Sequence, residues 1–284
     1  SPLSCLGLAR WLPVNAGDVA RRYIKDPVLL NFIDIECFCW SVMPADLTPM
    51  INAGMVFSDR HYGGINYPKG GVGVIAEKLV KGIEEFGGAI RYNSRVKKII
   101  FEKENAIGVA LENNEEIHSK TIVSNATRWD TFGGNGIDDP LVETNKTPLS
   151  ETTWKNRYKP SPSFLSLHLG VNGDAIPAAT DCHHLLLDTW EEMEKEQGVA
   201  FVSIPTLLDP TLAPSGSHIV HAFTPSSIDN WEGLNNNQYL AKKKEDGDKL
   251  ISKLEKLFPN LSQNIVHKEI GSPRTHKRFL SRNK

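Results

Sequence analysis

Between Tyr67 and Gly88 a glycine-dense loop, Tyr67-Pro68-Lys69-Gly70-Gly71-Val72-Gly73, runs directly into an amphipathic stretch, and short strand-like runs follow it. No other part of the chain limits the fold as much. Val72, Ile75, Ala76, Leu79, Val80, Ile83 and Phe86 recur at helical spacing on one broad face, and Gly87 stands where a left-handed helix cap belongs. Residues 89–92, 96–101, 106–111 and 116–123 read as four strands, with Glu104-Asn105 and Asn113-Asn114 as the turns of an antiparallel meander. A helix packed beside a meander requires a mixed α/β fold.

The flanking segments extend that class. Asp26-Pro27 and Thr48-Pro49 are helix-start pairs. After the first, Val28, Leu29, Phe32, Ile33, Ile35 and Phe38 make a nearly continuous apolar helix, expected to be buried on more than one side. Residues 130–151 lack periodicity and read as a connector. Alternation at Phe164, Leu165, Leu167, Leu169 and Val171 marks a strand, and residues 182–188, 201–205, 218–224 and 265–270 mark others of one sheet. Residues 238–258 form a long polar helix with an inward stripe of Leu250, Ile251, Leu254, Leu257 and Phe258, stopped by Pro259. The final residues, from Phe279 to Lys284, follow the last strand without an obvious terminal element, which suggests a piece of a longer protein. The organisation expected is helical over 1–66, helix and meander over 67–130, connector over 131–150, and sheet plus helix over 151–284.

Composition narrows the partners. With 32 Lys+Arg against 34 Asp+Glu the net charge is -2, so there is no bulk positive field for nucleic acid. No run approaches the roughly 18–20 apolar residues of a membrane-spanning helix. Cys5, Cys37, Cys39 and Cys182 are too few and too scattered for a disulfide framework, and Cys182 beside His183 and His184 lacks metal-ligand spacing, so no metal is expected.

The glycine loop reads equally as a tight turn or as a loop that lets backbone approach a flat or anionic ligand, since its spacing is not G-x-G-x-x-G. His61, His168, His183, His184, His218 and His221 invite a general-base reading, but a strand histidine is ordinarily a hydrogen-bonded sheet residue rather than a base, and the sequence does not choose among them. Glu36 is the one nominated catalytic group. It stands among apolar neighbours on a helix expected to be buried, where desolvation would leave it ready to exchange a proton, or where it simply bonds to backbone.

Three stretches carry a resemblance: residues 31–40 (NFIDIECFCW), 67–73 (YPKGGVG) and 124–132 (SNATRWDTF). Residues 180–184, Ser226-Ser227-Ile228 with Trp231-Glu232-Gly233, and Pro273-Arg274-Thr275-His276 continue it. The chain resembles the carotenoid (prolycopene) isomerases of plants and cyanobacteria, akin to phytoene desaturases and flavin-dependent amine oxidases. The match covers nearly the whole chain apart from residues 133–150. The resemblance implies an FAD-binding Rossmann-like domain, incomplete here, interwoven with a mixed-sheet and helical substrate domain. It implies cis-to-trans isomerisation of a poly-cis-carotenoid with reduced FAD and no net redox change, NAD(P)H serving as indirect reductant. A carotene desaturase or retinol saturase type of chemistry, and a non-catalytic fragment, stay open beside it.

The resemblance places Val96, Gly70, Gly71 and Ala126 at the cofactor. It places Tyr62, Gly63, Gly64, Ile65 and Phe32 at a C40 polyene. It further implies peripheral membrane contact without a specific protein partner, in a plastid or, in a prokaryote, at a cyanobacterial membrane. The family's N-terminal G-x-G-x-x-G and C-terminal Gly-Asp segments have no counterpart in this sequence, so weak or absent FAD binding and an exposed apolar face are expected of the chain alone.

Overall fold

A computed structural model describes residues 7–134, 136–158 and 161–282. Cys5, Asn283 and Lys284 lie outside them. The chain divides into two compact units, residues 1–75 with 162–272 and residues 76–161 with 273–284.

The first unit begins with α1 (Ala16–Tyr23), α2 (Pro27–Ser41) and α3 (Met50–Tyr62). Asp26 caps α2 as its sequence requires, its carboxylate accepting from the Val28 and Leu29 N–H groups at 2.8 and 3.0 Å. The second start signal works differently. Pro49 holds the cap position of α3, while the buried Thr48 hydroxyl turns back to the Met43 and Pro44 carbonyls. In its C-terminal half helix α2 is covered on two sides, Ile35 and Phe38 packing with Val199 and Phe201, and Cys37 with Ala16, Ala45 and Ala53. That burial on more than one side is the expected one, but it stops short of the N-terminal half, where Val28, Leu29 and Phe32 are 64, 45 and 51% exposed. An apolar sequence sets the demand for cover; the neighbours present decide how much of it is met.

Five antiparallel strands complete this unit: β4 (Ser163–Asn172), β5 (His183–Leu187), β6 (Val199–Ser203), β7 (Ser217–Ser226) and β8 (Ile265–Gly271), in the order β5-β6-β7-β4-β8. Helix α7 (Asn236–Leu254) opens with a capping box between Asn235 and Gln238. Its Leu250, Ile251 and Leu254, with Phe258 just beyond, pack on Leu165, Leu167 and Leu169 of β4 and on Val220 and Ala222 of β7. That is the larger core, and the two-residue period of β4 places it on one face of the sheet.

The second unit holds a three-stranded antiparallel sheet of β1 (Val96–Glu102), β2 (Asn105–Leu111) and β3 (Glu116–His118). The first turn is Lys103-Glu104, one residue earlier than expected, because Lys103 takes the left-handed conformation (φ 54°) and Asn105 already pairs with Glu102. Residues 89–92 and 119–123, expected as strand, take no place in a ladder among the described residues. Strand propensity provides no hydrogen-bonding partner. Helices α5 (Arg128–Phe132) and α6 (Leu149–Arg157) follow. The stretch read as a connector carries packing of its own: Leu141 donates to the Asp130 carbonyl and accepts from the Ile99 N–H, and Val142 is buried. After the last strand comes helix α8 (Pro273–Leu280), which takes in Phe279 and Leu280, where no terminal element was expected. Helix α4 (Gly73–Glu85) buries none of its residues, and Ile75, Leu79, Ile83 and the following Phe86 are exposed, as expected of an unpartnered apolar face.

Candidate functional site

The glycine loop is anchored within the first unit. The carboxylate of buried Asp209 accepts from the Gly70 N–H at 2.7 Å and from the Thr211 N–H and hydroxyl at 3.1 and 2.6 Å. The Gly71 N–H in turn donates to the Pro68 carbonyl. Gly70 and Gly71 have φ of 90° and 89°, a region that favours glycine. Both amides that the loop would offer a phosphate are therefore already engaged.

These donors hold Asp209 below the ordinary carboxylate range, the Gly70 N–H contributing most. A carboxylate with a depressed folded value adds stability above its unfolded value, and that stability is lost as pH falls through the folded one. Asp209→Ala is expected to lower the thermal midpoint and to speed tryptic cleavage after Lys69. Asp209→Asn should do less. Midpoints and digestion rates that match wild type would show that the loop holds itself.

Glu36 is not the solitary acid that the sequence suggested. Its carboxylate is ion-paired with Arg60 of α3, and its side chain is only 16% exposed. The pairing arises because α2 and α3 bring residues 24 positions apart to the same place. A carboxylate held by a guanidinium serves first to join two helices. Nearby, burial pushes the Cys37 thiol up to about 11 and raises Cys39 as well, so neither is an activated nucleophile.

Phe32 lies where a ligand could reach it. With Ile35, Leu185, Leu187, Asp188, Thr189 and Trp190 it lines a cleft of about 400 Å³. Tyr62 is the last residue of α3, and Gly63, Gly64 and Ile65 continue from it as exposed backbone that does not line this cleft. Val96 begins β1 opposite Leu111, and Ala126 is exposed just ahead of α5. Three histidines have the sheet-type partners expected of them: His183 Nδ1 with Ser203 Oγ at 2.9 Å, His184 Nε2 with the Asp181 carbonyl at 2.7 Å, and His218 Nδ1 with Thr206 Oγ1 at 2.9 Å. Among the described residues no three His, Cys, Asp or Glu side chains gather as metal ligands would.

Sequence reasoning missed Asp209, whose signal would have been an Asx turn at Asp209-Pro210-Thr211, and it missed the second face of the larger sheet. There, away from α7, Phe201 and Phe223 stack at 4.9 Å, Phe38 of α2 stacks on Phe201 at 6.3 Å, and Phe164 meets Phe223 edge-on at 5.1 Å. His168 and His221 stack at 4.3 Å beside them. Burial and the neighbouring His168 push His221 down to about 4, so its ring is uncharged at neutral pH.

The chain shares its fold with a solved structure. A solved oxidoreductase from Methanosarcina mazei superposes with a TM-score of 0.63 over 95% of this chain and 59% of that one, at 18% identity. Residues 50–279 match the model of the family Flavin containing amine oxidoreductase, and the chain belongs to that family. It is 53% identical to prolycopene isomerase, chloroplastic, of Arabidopsis thaliana over 100% of this chain and 47% of that protein. The identity to the protein of the same name from Daucus carota is also 53%, over 99% of this chain and 45% of that one. The chain thus spans about half the length of the curated relatives it matches.

Family membership ties the chain to a flavin. The residues present do not make a dinucleotide cradle: the Gly70 and Gly71 amides are bonded within the protein, and no G-x-G-x-x-G occurs in the sequence.

Proposed function

We propose that this chain forms the substrate-binding half of a carotenoid cis-to-trans isomerase, acting on a poly-cis-lycopene. The observation that carries this reading is 53% identity, along the whole chain, to proteins named prolycopene isomerase. The cleft beside Phe32 is lined mainly by Phe32, Ile35, Leu185, Leu187 and Trp190, which suits a hydrocarbon, with Asp188 and Thr189 at its polar side. On this reading Phe32, Tyr62, Gly63, Gly64 and Ile65 belong to the polyene side, and Val96 and Ala126 approach FAD through backbone. Gly70 and Gly71 serve by leaving out side chains rather than by donating N–H groups. FAD works in its reduced form, with NAD(P)H as the distant electron source. Glu36 holds α2 to α3 and orients the helix that carries Phe32.

The reading also places the protein at a plastid membrane. Leu8, Val28, Leu29 and Met55 are exposed apolar side chains on helical segments, suited to peripheral contact with the bilayer in which such substrates dissolve. Among the described residues no helix is long and apolar enough to cross a membrane.

The test is conversion of tetra-cis-lycopene by a protein that contains this chain, supplied with FAD under reducing conditions and resolved by chromatography. All-trans-lycopene with an unchanged number of double bonds is the expected product. A product with more or fewer double bonds would make the enzyme a desaturase or saturase, and unchanged substrate would overturn the reading.

A further inference from the structure

The register of the larger sheet sets the face opposite α7, covered by α2 over Phe201, in two rows. His183 pairs with Ser203, Ser203 with His221, His221 with His168, and His168 with Glu269, so one row crosses all five strands. The adjacent row runs Leu185, Phe201, Phe223, Ser166, with Phe164 against Phe223. Ring contacts continue from one row into the other: Phe38 to Phe201, Phe201 to Phe223, Phe223 to His221 at 6.4 Å, and His221 to His168. At one end this strip meets the cleft lined by Phe32, Ile35 and Leu185.

A sheet face that meets only water is ordinarily lined with Thr, Lys and Glu. This one presents aromatic and imidazole faces, and its one carboxylate, Glu269, stands on the edge strand β8 with His267 3.4 Å away. Phe201 is buried beneath Phe38 of α2 and Ser166 is buried too, but His168 and Leu185 are exposed and Phe223 and His221 are half-buried, so the part of the face that carries Phe223, His221 and His168 is accessible.

We propose that this face is the binding wall for the conjugated chain of the polyene, which lies across the strands with Phe223, His221 and His168 against it as positioning residues. The proposal rests on the carotenoid reading above and assigns it residues. A long conjugated hydrocarbon has no hydrogen-bonding groups, and what it gains over a saturated chain is contact between its π electrons and ring faces. Phenyl and imidazole rings supply such faces, and the Ser203 hydroxyl between them is hydrogen-bonded to His183 Nδ1 at 2.9 Å.

The experiment titrates the 284-residue chain with tetra-cis-lycopene carried in phosphatidylcholine vesicles and reads the induced circular dichroism of the polyene band. Saturable binding is expected, weakened tenfold or more by His168→Lys and by Phe223→Ser, and unchanged by Leu79→Ser on α4. His168 is exposed, so its replacement leaves the fold intact, and unfolding midpoints confirm this for each variant. Equal affinity of the two wall variants and wild type would overturn the wall while leaving the carotenoid reading standing. Competition by lycopane, the saturated analogue, as strong as by lycopene itself would overturn the π-face argument in favour of a general lipid surface. No induced band with the wild-type chain would overturn the wall and the carotenoid reading together.

Discussion

Trp231→Ala is expected to destabilise the first unit by about 3–5 kcal/mol, the range for truncating a large buried aromatic side chain. Trp231 is 1% exposed and belongs to the main core. Its Nε1 donates to Ser226 Oγ at 2.9 Å, and that hydroxyl donates to Glu196 at 2.8 Å, whose other oxygen accepts from the Ser227 N–H at 2.7 Å. Tyr239 meets the indole edge-on at 5.8 Å and the Lys242 ammonium lies over it at 5.0 Å. The substitution removes ring volume and leaves the Ser226 oxygen without its indole donor. Trp231→Phe keeps most of the volume and should cost about 1–2 kcal/mol, the penalty of one unmet buried hydrogen bond. Urea unfolding followed by circular dichroism measures both. A loss under 1 kcal/mol for Trp231→Ala would show that the cavity closes and that the Ser226–Trp231 stretch, prominent in the family resemblance, is not structural.

Between pH 7 and pH 4.5 the wild-type chain should lose roughly 2–3 kcal/mol more stability than His221→Phe. The sign follows from His221, held at about 4 when folded by burial and by His168, against about 6.5 in an unfolded chain. The unfolded state takes the proton first. The contribution of neutral His221 is therefore complete above pH 6.5 and is lost as pH falls from there towards 4. His168, Ser203 with its partner His183, and Glu269 beyond His168 share its row, and none places a carboxylate against the His221 ring. Phenylalanine keeps a ring stacked on His168 and removes the titration. Denaturation series at several pH values give the difference directly, and parallel curves for the two proteins would mean that His221 stays accessible to protons in the folded state.

Much of the secondary structure is legible along the chain. Asp26-Pro27 starts α2, the alternation from Phe164 to Val171 gives β4, and the stripe from Leu250 to Leu254 gives the inner face of α7, each where periodicity and capping chemistry put it. The candidate site is much less legible. Phe32 is found at a cleft, but Glu36 turns out to be bound to Arg60, and the Gly70 amide, free to the eye of the sequence, is bonded to a carboxylate 139 positions away.

What the sequence determined by itself is whatever depends on neighbours within a few residues: periods of 3.6 and 2, helix starts, glycines with positive φ, and a resemblance that holds across nearly the whole chain. Tertiary structure alone decided which apolar faces found cover, why residues 89–92 lack a ladder, and how His183, Ser203, His221, His168 and Glu269 came to stand in one row. The physical reason lies in the strand order β5-β6-β7-β4-β8. Backbone hydrogen bonds across a sheet join segments without regard to their separation along the chain, so a side chain acquires its functional neighbours only once the register is set.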